Sequence, residues 1–196
     1  MTFRRKDAHY RRAREAGYRA RSAPKLLELD SRFRLLRRGD FVVDLGAWPG
    51  SWMQVALERI GAEGRLVGVD VVPITPLPAA NAFVVTGDVR DPLTIQAILD
   101  RLGRPADVVL SDLAPKLTGV RVTDEARCEE LSGAVLGLLP AILRPDGRFL
   151  MKVFMGPGYE ALMAALRPAF ARVSTTRPEA TRSGSAELYV VGMGHR

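Results

Sequence analysis

The chain has 196 residues, 47% hydrophobic and 26% charged, enough for one full core and too few for two. No apolar run approaches the roughly 20 residues that span a bilayer, and the basic start Met1-Thr2-Phe3-Arg4-Arg5-Lys6 has no apolar stretch behind it to make a secretory signal. Cys128 is the only cysteine, which excludes an internal disulfide and a cysteine-built metal site and points to a cytosolic protein.

The net charge of +7 is unevenly spread. Residues 1–40 hold 13 Lys and Arg against 5 Asp and Glu, whereas residues 41–196 hold 16 against 17. Such asymmetry indicates a polyanion-binding arm on a near-neutral body; the bland alternative is a solvated tail. Tyr10 and Tyr18 stand among arginines, a mixture that suits RNA because guanidinium groups meet phosphates and rings stack on bases. Residues 1–20 are therefore expected to form an RNA-binding arm, with Arg11, Arg12, Arg19 and Arg21 on phosphates, and residues 21–196 a single domain. A helix should open at Ser22-Ala23-Pro24-Lys25, bury Leu26, Leu27, Leu29, Phe33 and Leu36, and end at Gly39. Lys25 sits in its first turn, where the helix dipole disfavours a cation.

From Asp40 onward apolar runs alternate with helical patterns. Strands are expected at Phe41–Leu45, Arg65–Val69, Ala82–Thr86, Asp107–Ser111 and Arg148–Phe154, and helices near Ser51–Ile60, Pro92–Leu102, Asp124–Leu143 and Tyr159–Leu166. Continuous Val and Leu runs suit strands covered on both faces. Phe170–Thr176 and Glu187–Met193 follow with no helix between them, which makes them an antiparallel pair. The expected fold is α/β: a doubly wound, mostly parallel seven-stranded sheet with an antiparallel last strand.

Acids stand at the strand ends, where open parallel sheets bind ligands. Asp44 ends the first strand, Asp70 the second, and Asp88 follows the third in Thr86-Gly87-Asp88. Any one of them could simply cap a helix, but three in register point to one ligand. Between Asp44 and the next helix lies the turn Gly46-Ala47-Trp48-Pro49-Gly50-Ser51-Trp52. It lacks the second glycine of a dinucleotide fingerprint, Pro49 removes a backbone donor, and Asp44 would repel phosphates. An amino group and a sulfonium tolerate that acid, so S-adenosylmethionine is favoured over NAD, with Gly46, Pro49, Gly50, Trp52, Asp70, Asp88 and Asp112 joining Asp44 around it. The two histidines, His9 and His195, have no ligand-spaced neighbours, so no metal is expected.

The fourth strand runs into Ser111-Asp112-Leu113-Ala114-Pro115, and the fifth carries Lys152 inside Phe149-Leu150-Met151-Lys152-Val153-Phe154. A lysine in such a run is costly unless paired, and Asp112 is its natural partner. Together with Asp44–Trp52, Arg21-Ser22-Ala23-Pro24-Lys25-Leu26 and Ser185-Ala186-Glu187-Leu188-Tyr189, these segments resemble the FtsJ family over the chain from about Tyr18 to its end. The resemblance implies a Rossmann-like, S-adenosylmethionine-dependent RNA 2′-O-ribose methyltransferase. It also implies a catalytic tetrad of Lys25, Asp112, Lys152 and Glu187, in which Lys152 is the base, Asp112 orients it, and Glu187 holds Lys25 or the ribose. Within that family the implied acceptor is a uridine of large-subunit ribosomal RNA, with ribosomal RNA or the large subunit as partner of a monomer that has no membrane contact. A transfer RNA acceptor and a non-catalytic assembly factor are the alternatives. Ser51 in place of a second glycine, and Lys116 in place of an asparagine after Ala-Pro, depart from the family pattern and bear on RNA preference.

Overall fold

Strands with both faces covered need helices on each side, and the chain supplies them in alternation. A computed structural model describes residues 15–115, 118–181 and 186–196. In chain order the elements are α1 (Ala23–Phe33), β1 (Phe41–Leu45), α2 (Ser51–Ile60), β2 (Arg65–Asp70), β3 (Ala82–Thr86) and α3 (Pro92–Leu102). They continue with β4 (Ala106–Ser111), α4 (Arg121–Ile142), β5 (Leu143–Phe154), α5 (Tyr159–Ala169), β6 (Phe170–Thr176) and β7 (Glu187–His195).

The strands form one sheet in the order β3-β2-β1-β4-β5-β7-β6. Neighbours from β3 to β5 are parallel, while β7 runs antiparallel to both β5 and β6. The expected doubly wound sheet and its antiparallel last strand are both present. Strand order reverses between β1 and β4, the place where sheets of this kind open a crevice at their carboxyl ends. Two apolar layers cover the sheet. One packs α3, α4 and α5 against Val43, Leu45, Val109, Phe149 and Met151. The other packs α1 and α2 against Val42, Val108, Leu110, Leu150 and Val191. Among the described residues no helix is long and apolar enough to cross a membrane.

Element boundaries depart from expectation where side chains intervene. The helix expected to reach Gly39 stops at Phe33, because Arg34 turns left-handed (φ 54°) and returns its N–H to the Asp30 carbonyl. The Asp30 carboxylate then accepts Leu36 N at 2.8 Å and Arg59 Nε at 3.0 Å, so Leu36 reaches the core from a loop. Helix α4 begins at Arg121 rather than Asp124, since the Asp124 carboxylate takes the N–H groups of Thr118 and Gly119 just ahead of it. Strand β5 begins at Leu143 rather than Arg148, with a register shift against β4 between Ala106 and Val108.

The amino end of the sheet is held by a buried ion pair. Arg148, 4% exposed, donates from Nη2 to Asp40 Oδ1 at 2.7 Å and from Nη1 to the Leu35 carbonyl at 2.6 Å. The second Asp40 oxygen accepts Arg37 N at 2.6 Å, so neither charge is left bare. Removing one partner of such a pair strands the other in a low-dielectric interior. Asp40→Ala should therefore lose about 3–5 kcal/mol in urea unfolding. Changing Asp40 and Arg148 together to apolar residues of similar volume should recover most of that loss; a single mutant of wild-type stability would refute this role.

Candidate active site

Strand parity decides which side chains meet. Val42 packs under α1 and α2, so Asp44 faces the same side of β1. By the same count that side takes Leu110 and then Asp112 past β4, Leu150 and Lys152 on β5, and Val191, Tyr189 and Glu187 on β7. Antiparallel pairing sets Lys152 opposite Tyr189 and Phe154 opposite Glu187. Helix α1 crosses the same face and carries Lys25 in its first turn.

The four residues expected as a tetrad are brought together as two linked pairs. Lys152 Nζ lies 3.1 Å from Asp112 Oδ1 and donates to the Asp112 backbone carbonyl at 2.6 Å. Lys25 Nζ lies 2.5 Å from Glu187 Oε1. Tyr189, fully buried, joins the pairs: its hydroxyl donates to Asp112 Oδ1 at 3.0 Å, and Lys25 Nζ stands 5.7 Å from its ring centroid. Burial, then the nearby Asp112 and Glu187 carboxylates, push the phenol far above its ordinary range, so it stays a donor. Sequence reading gave Tyr189 no role. The available signal was its position two residues after Glu187 on a strand, which puts both on one face.

The glycine turn is packed against the exit of β4. Gly46 has φ 79°, and a Cβ there would lie 2.9 Å from Leu113 N, so only glycine lets the two strand ends approach. The Gly46 and Ala47 N–H groups reach the Val69 carbonyl at 2.8 and 3.1 Å, and Asp112 N reaches the Leu45 carbonyl at 3.1 Å. Three strand ends are thereby tied around Asp44.

Asp44 is fully buried, and neither carboxylate oxygen has a hydrogen-bond partner. Burial raises its pKa well above the usual value, and the Asp112 and Asp70 charges raise it further. A carboxyl so placed calls for a cation or a donor. Asp70 accepts Trp48 N at 3.0 Å and Val72 N at 2.9 Å, which fixes the turn against the end of β2 and leaves lone pairs free. Asp88 is gripped by Arg90 through Nε at 2.9 Å and Nη2 at 2.6 Å, and these bonds hold its pKa down at about 2. Arg90 also reaches Glu130 on α4 at 2.5 Å, which joins that helix to the end of β3. Acidic strand ends of this kind fit a cofactor with an ammonium and a sulfonium and oppose a diphosphate.

Three expected contacts change. Trp52 is 2% exposed and spends its indole N–H on the Ser22 carbonyl at 3.0 Å, so it seats the start of α1 and has no donor left for a ligand. Gly50 is buried, and a Cβ there would lie 2.8 Å from Arg19 Nη1, so its lack of a side chain serves Arg19. The Arg19 guanidinium donates to backbone carbonyls instead of projecting for phosphates. Arg21 is exposed. Arg11, Arg12 and Lys116 lie outside the described residues. A cleft of about 500 Å³ lies between α4 and α5, away from the turn, and a small cavity lined by Lys152, Cys128 and Phe154 adjoins it.

Comparison with known proteins matches residues 18–195 to the family described as FtsJ-like methyltransferase. A protein of Methanobrevibacter smithii named ribosomal RNA large subunit methyltransferase E is 41% identical over 95% of this chain and 89% of its own. An Azoarcus protein of the same name is 43% identical over 97% and 92%. Among solved structures, a ribosomal RNA methyltransferase of Plasmodium falciparum superposes with a TM-score of 0.80 at 27% identity, over 91% of this chain and 98% of that one.

The isolated Asp44 charge should be a burden on the ligand-free protein. Because its folded pKa lies above the unfolded one, the penalty grows as pH rises from the ordinary carboxylate range towards the raised value. Asp44→Asn should remove that pH dependence and raise the melting temperature at neutral pH, by about 2–4 °C for each kcal/mol relieved. Calorimetric titration should show S-adenosylmethionine binding at least about tenfold weaker, a loss near 1.4 kcal/mol. Unchanged affinity would exclude Asp44 from the cofactor site.

Proposed function

The chain belongs to the FtsJ-like methyltransferase family, and from that premise we propose that it methylates a ribose 2′-OH of large-subunit ribosomal RNA, with a uridine as the acceptor and S-adenosylmethionine as the donor. The observation that carries this reading is the orientation of Lys152 beside the acidic strand ends. Lys152 Nζ donates to the Asp112 backbone carbonyl at 2.6 Å and stands 3.1 Å from the Asp112 carboxylate, which holds it beside those acids, where it can take the proton of a ribose hydroxyl.

A ribose hydroxyl is a weak nucleophile, so proton removal has to accompany attack. Lys152 Nζ receives that proton. Lys25 and Glu187, held as a pair, supply a donor and an acceptor to orient the ribose, and Tyr189 keeps the Asp112 carboxylate fixed. Asp44, Asp70, Asp88 and Asp112, with Gly46 and Pro49 of the turn, would hold the cofactor. Bound there, S-adenosylmethionine supplies an electrophilic methyl group on a sulfonium. Holding oxygen and methyl in line contributes most of what positioning can give. Exposed Arg21, with Arg11 and Arg12 ahead of it, binds RNA phosphates. The acceptor is read as large-subunit ribosomal RNA rather than transfer RNA because the curated relatives carry that name over nearly their whole length.

Lys152→Ala should lower transfer of radiolabelled methyl to ribosomal RNA by about 10²–10⁴-fold, with cofactor affinity unchanged by calorimetry. Asp112→Ala removes the charge partner of Lys152 and leaves the backbone carbonyl that takes its hydrogen bond, so its kcat should fall less than that of Lys152→Ala. Full turnover by Lys152→Ala would remove the proposed base.

A further inference from the structure

Arg19 was expected among the phosphate-binding arginines, yet its donors point inward. Nη1 donates to the Pro49 carbonyl at 3.2 Å and the Thr75 carbonyl at 2.5 Å, and Nη2 donates to the Pro76 carbonyl at 3.0 Å. One carbonyl belongs to the turn between β1 and α2, and the other two to the connection between β2 and β3. These are the two loops that flank the acids Asp44 and Asp70. The planar fork of a guanidinium spans three acceptors at once, which a lysine ammonium on a single nitrogen does not reproduce. Gly50, with φ 104° and no Cβ, leaves room for Nη1 to come this close.

The backbone around Arg19 is equally committed. Arg19 N donates to Gln54 Oε1 at 2.8 Å, and Gln54 Nε2 donates to the Gly17 carbonyl at 3.0 Å. Tyr18 OH reaches Glu58 at 2.9 Å, and Ser22 Oγ pairs with Ser51 Oγ at 2.8 Å. From Gly17 to Ser22 the end of the basic arm is therefore stitched along α2, the helix that opens directly after the glycine turn. Exposed Arg21 lies in the same short segment.

We propose that Arg19 is a positioning residue by which the RNA-binding arm clamps the two cofactor loops, so that RNA and S-adenosylmethionine each strengthen the binding of the other. This rests on the assignment of the arm to RNA and of the turn to S-adenosylmethionine. RNA held by Arg21 adds a restraint to the short segment that carries Arg19. A fixed guanidinium holds Pro49 against Thr75 and Pro76 and pre-organises the loops for the cofactor. The coupling is reciprocal by linkage.

The test is calorimetric titration of S-adenosylmethionine, with and without a ribosomal RNA fragment, for wild type, Arg19→Ala, Arg19→Lys, Gln54→Ala and Arg21→Ala. In wild type, RNA should tighten cofactor binding about fivefold or more. In Arg19→Ala, cofactor affinity without RNA should fall about tenfold, the RNA effect should vanish, and the salt dependence of RNA binding should stay unchanged. Arg19→Lys should fail to restore the coupling. Arg21→Ala should do the reverse, losing close to one unit of salt slope while keeping its cofactor affinity. Gln54→Ala weakens the seat of Arg19 without touching the guanidinium, and should reduce the coupling even if Arg19→Ala proves unstable. Wild type without coupling, or Arg19→Ala with full coupling, overturns the proposal. Arg19→Ala that loses salt slope and keeps cofactor affinity returns the residue to a phosphate contact. Methyl transfer by wild type, measured separately, decides the functional reading on its own.

Discussion

Carboxyl groups are concentrated at the carboxyl ends of β1, β2 and β4, and Asp44 is the most deeply buried of them. Its carboxylate is buried, lacks a hydrogen-bond partner and feels Asp112 and Asp70. A fold bears such an arrangement when the charge has work to do, because isolated carboxyls in an interior are expensive. Much of the surrounding structure serves to hold these acids in place. Val69 binds the turn, Leu45 binds Asp112 N, Asp70 binds Trp48 N, and Gly46 yields its side-chain volume to Leu113. The same field that welcomes a cationic cofactor would repel a diphosphate. Cofactor choice thus follows from electrostatics before any shape is considered.

The antiparallel strand β7 sets two lysine–acid pairs beside these acids. A last strand parallel to β5 would present its residues in another register. As it is, Lys152 lies across from Tyr189, and Glu187 across from Phe154, two residues closer to the mouth. Tyr189 then bridges the Asp112–Lys152 pair to the Lys25–Glu187 pair through one hydroxyl and one ring face. Each lysine has an acid; Asp112 also accepts the Tyr189 hydroxyl, and Glu187 lies 3.5 Å from the Thr181 hydroxyl. That doubling restricts the lysines to single geometries, which an in-line reaction requires.

Local signals made the sheet legible: Val- and Leu-rich runs marked β1, β2 and β4, and the missing helix between Phe170–Thr176 and Glu187–Met193 announced the antiparallel pair. The tetrad positions came from motif resemblance, and parity explains afterwards why they converge. Other features depend on contacts between distant residues, which no window of sequence displays. Arg34 ends α1 early because Asp30 caps the turn from within, and Arg148 finds Asp40 across 108 positions. Trp52 looks like a ligand contact beside its glycines, but it packs 6.0 Å from Tyr189 and holds Ser22. Composition marked the arm as basic without saying which arginine faces outward.

The arm's last residues belong to the catalytic domain in a physical sense. Trp52, on the first turn of α2, holds the Ser22 carbonyl; Ser51 holds the Ser22 hydroxyl; and Ser22 directly precedes the helix that presents Lys25. Any displacement of the glycine turn is therefore transmitted over three residues to one lysine of the tetrad. Arg19 approaches the same turn from the other side, through Pro49. The glycine turn, the start of α1 and the end of the arm are thus joined by direct hydrogen bonds. If the turn seats the methyl donor and the arm holds RNA, as proposed above, both rest on one hydrogen-bonded scaffold, so restraint at either end reaches the other.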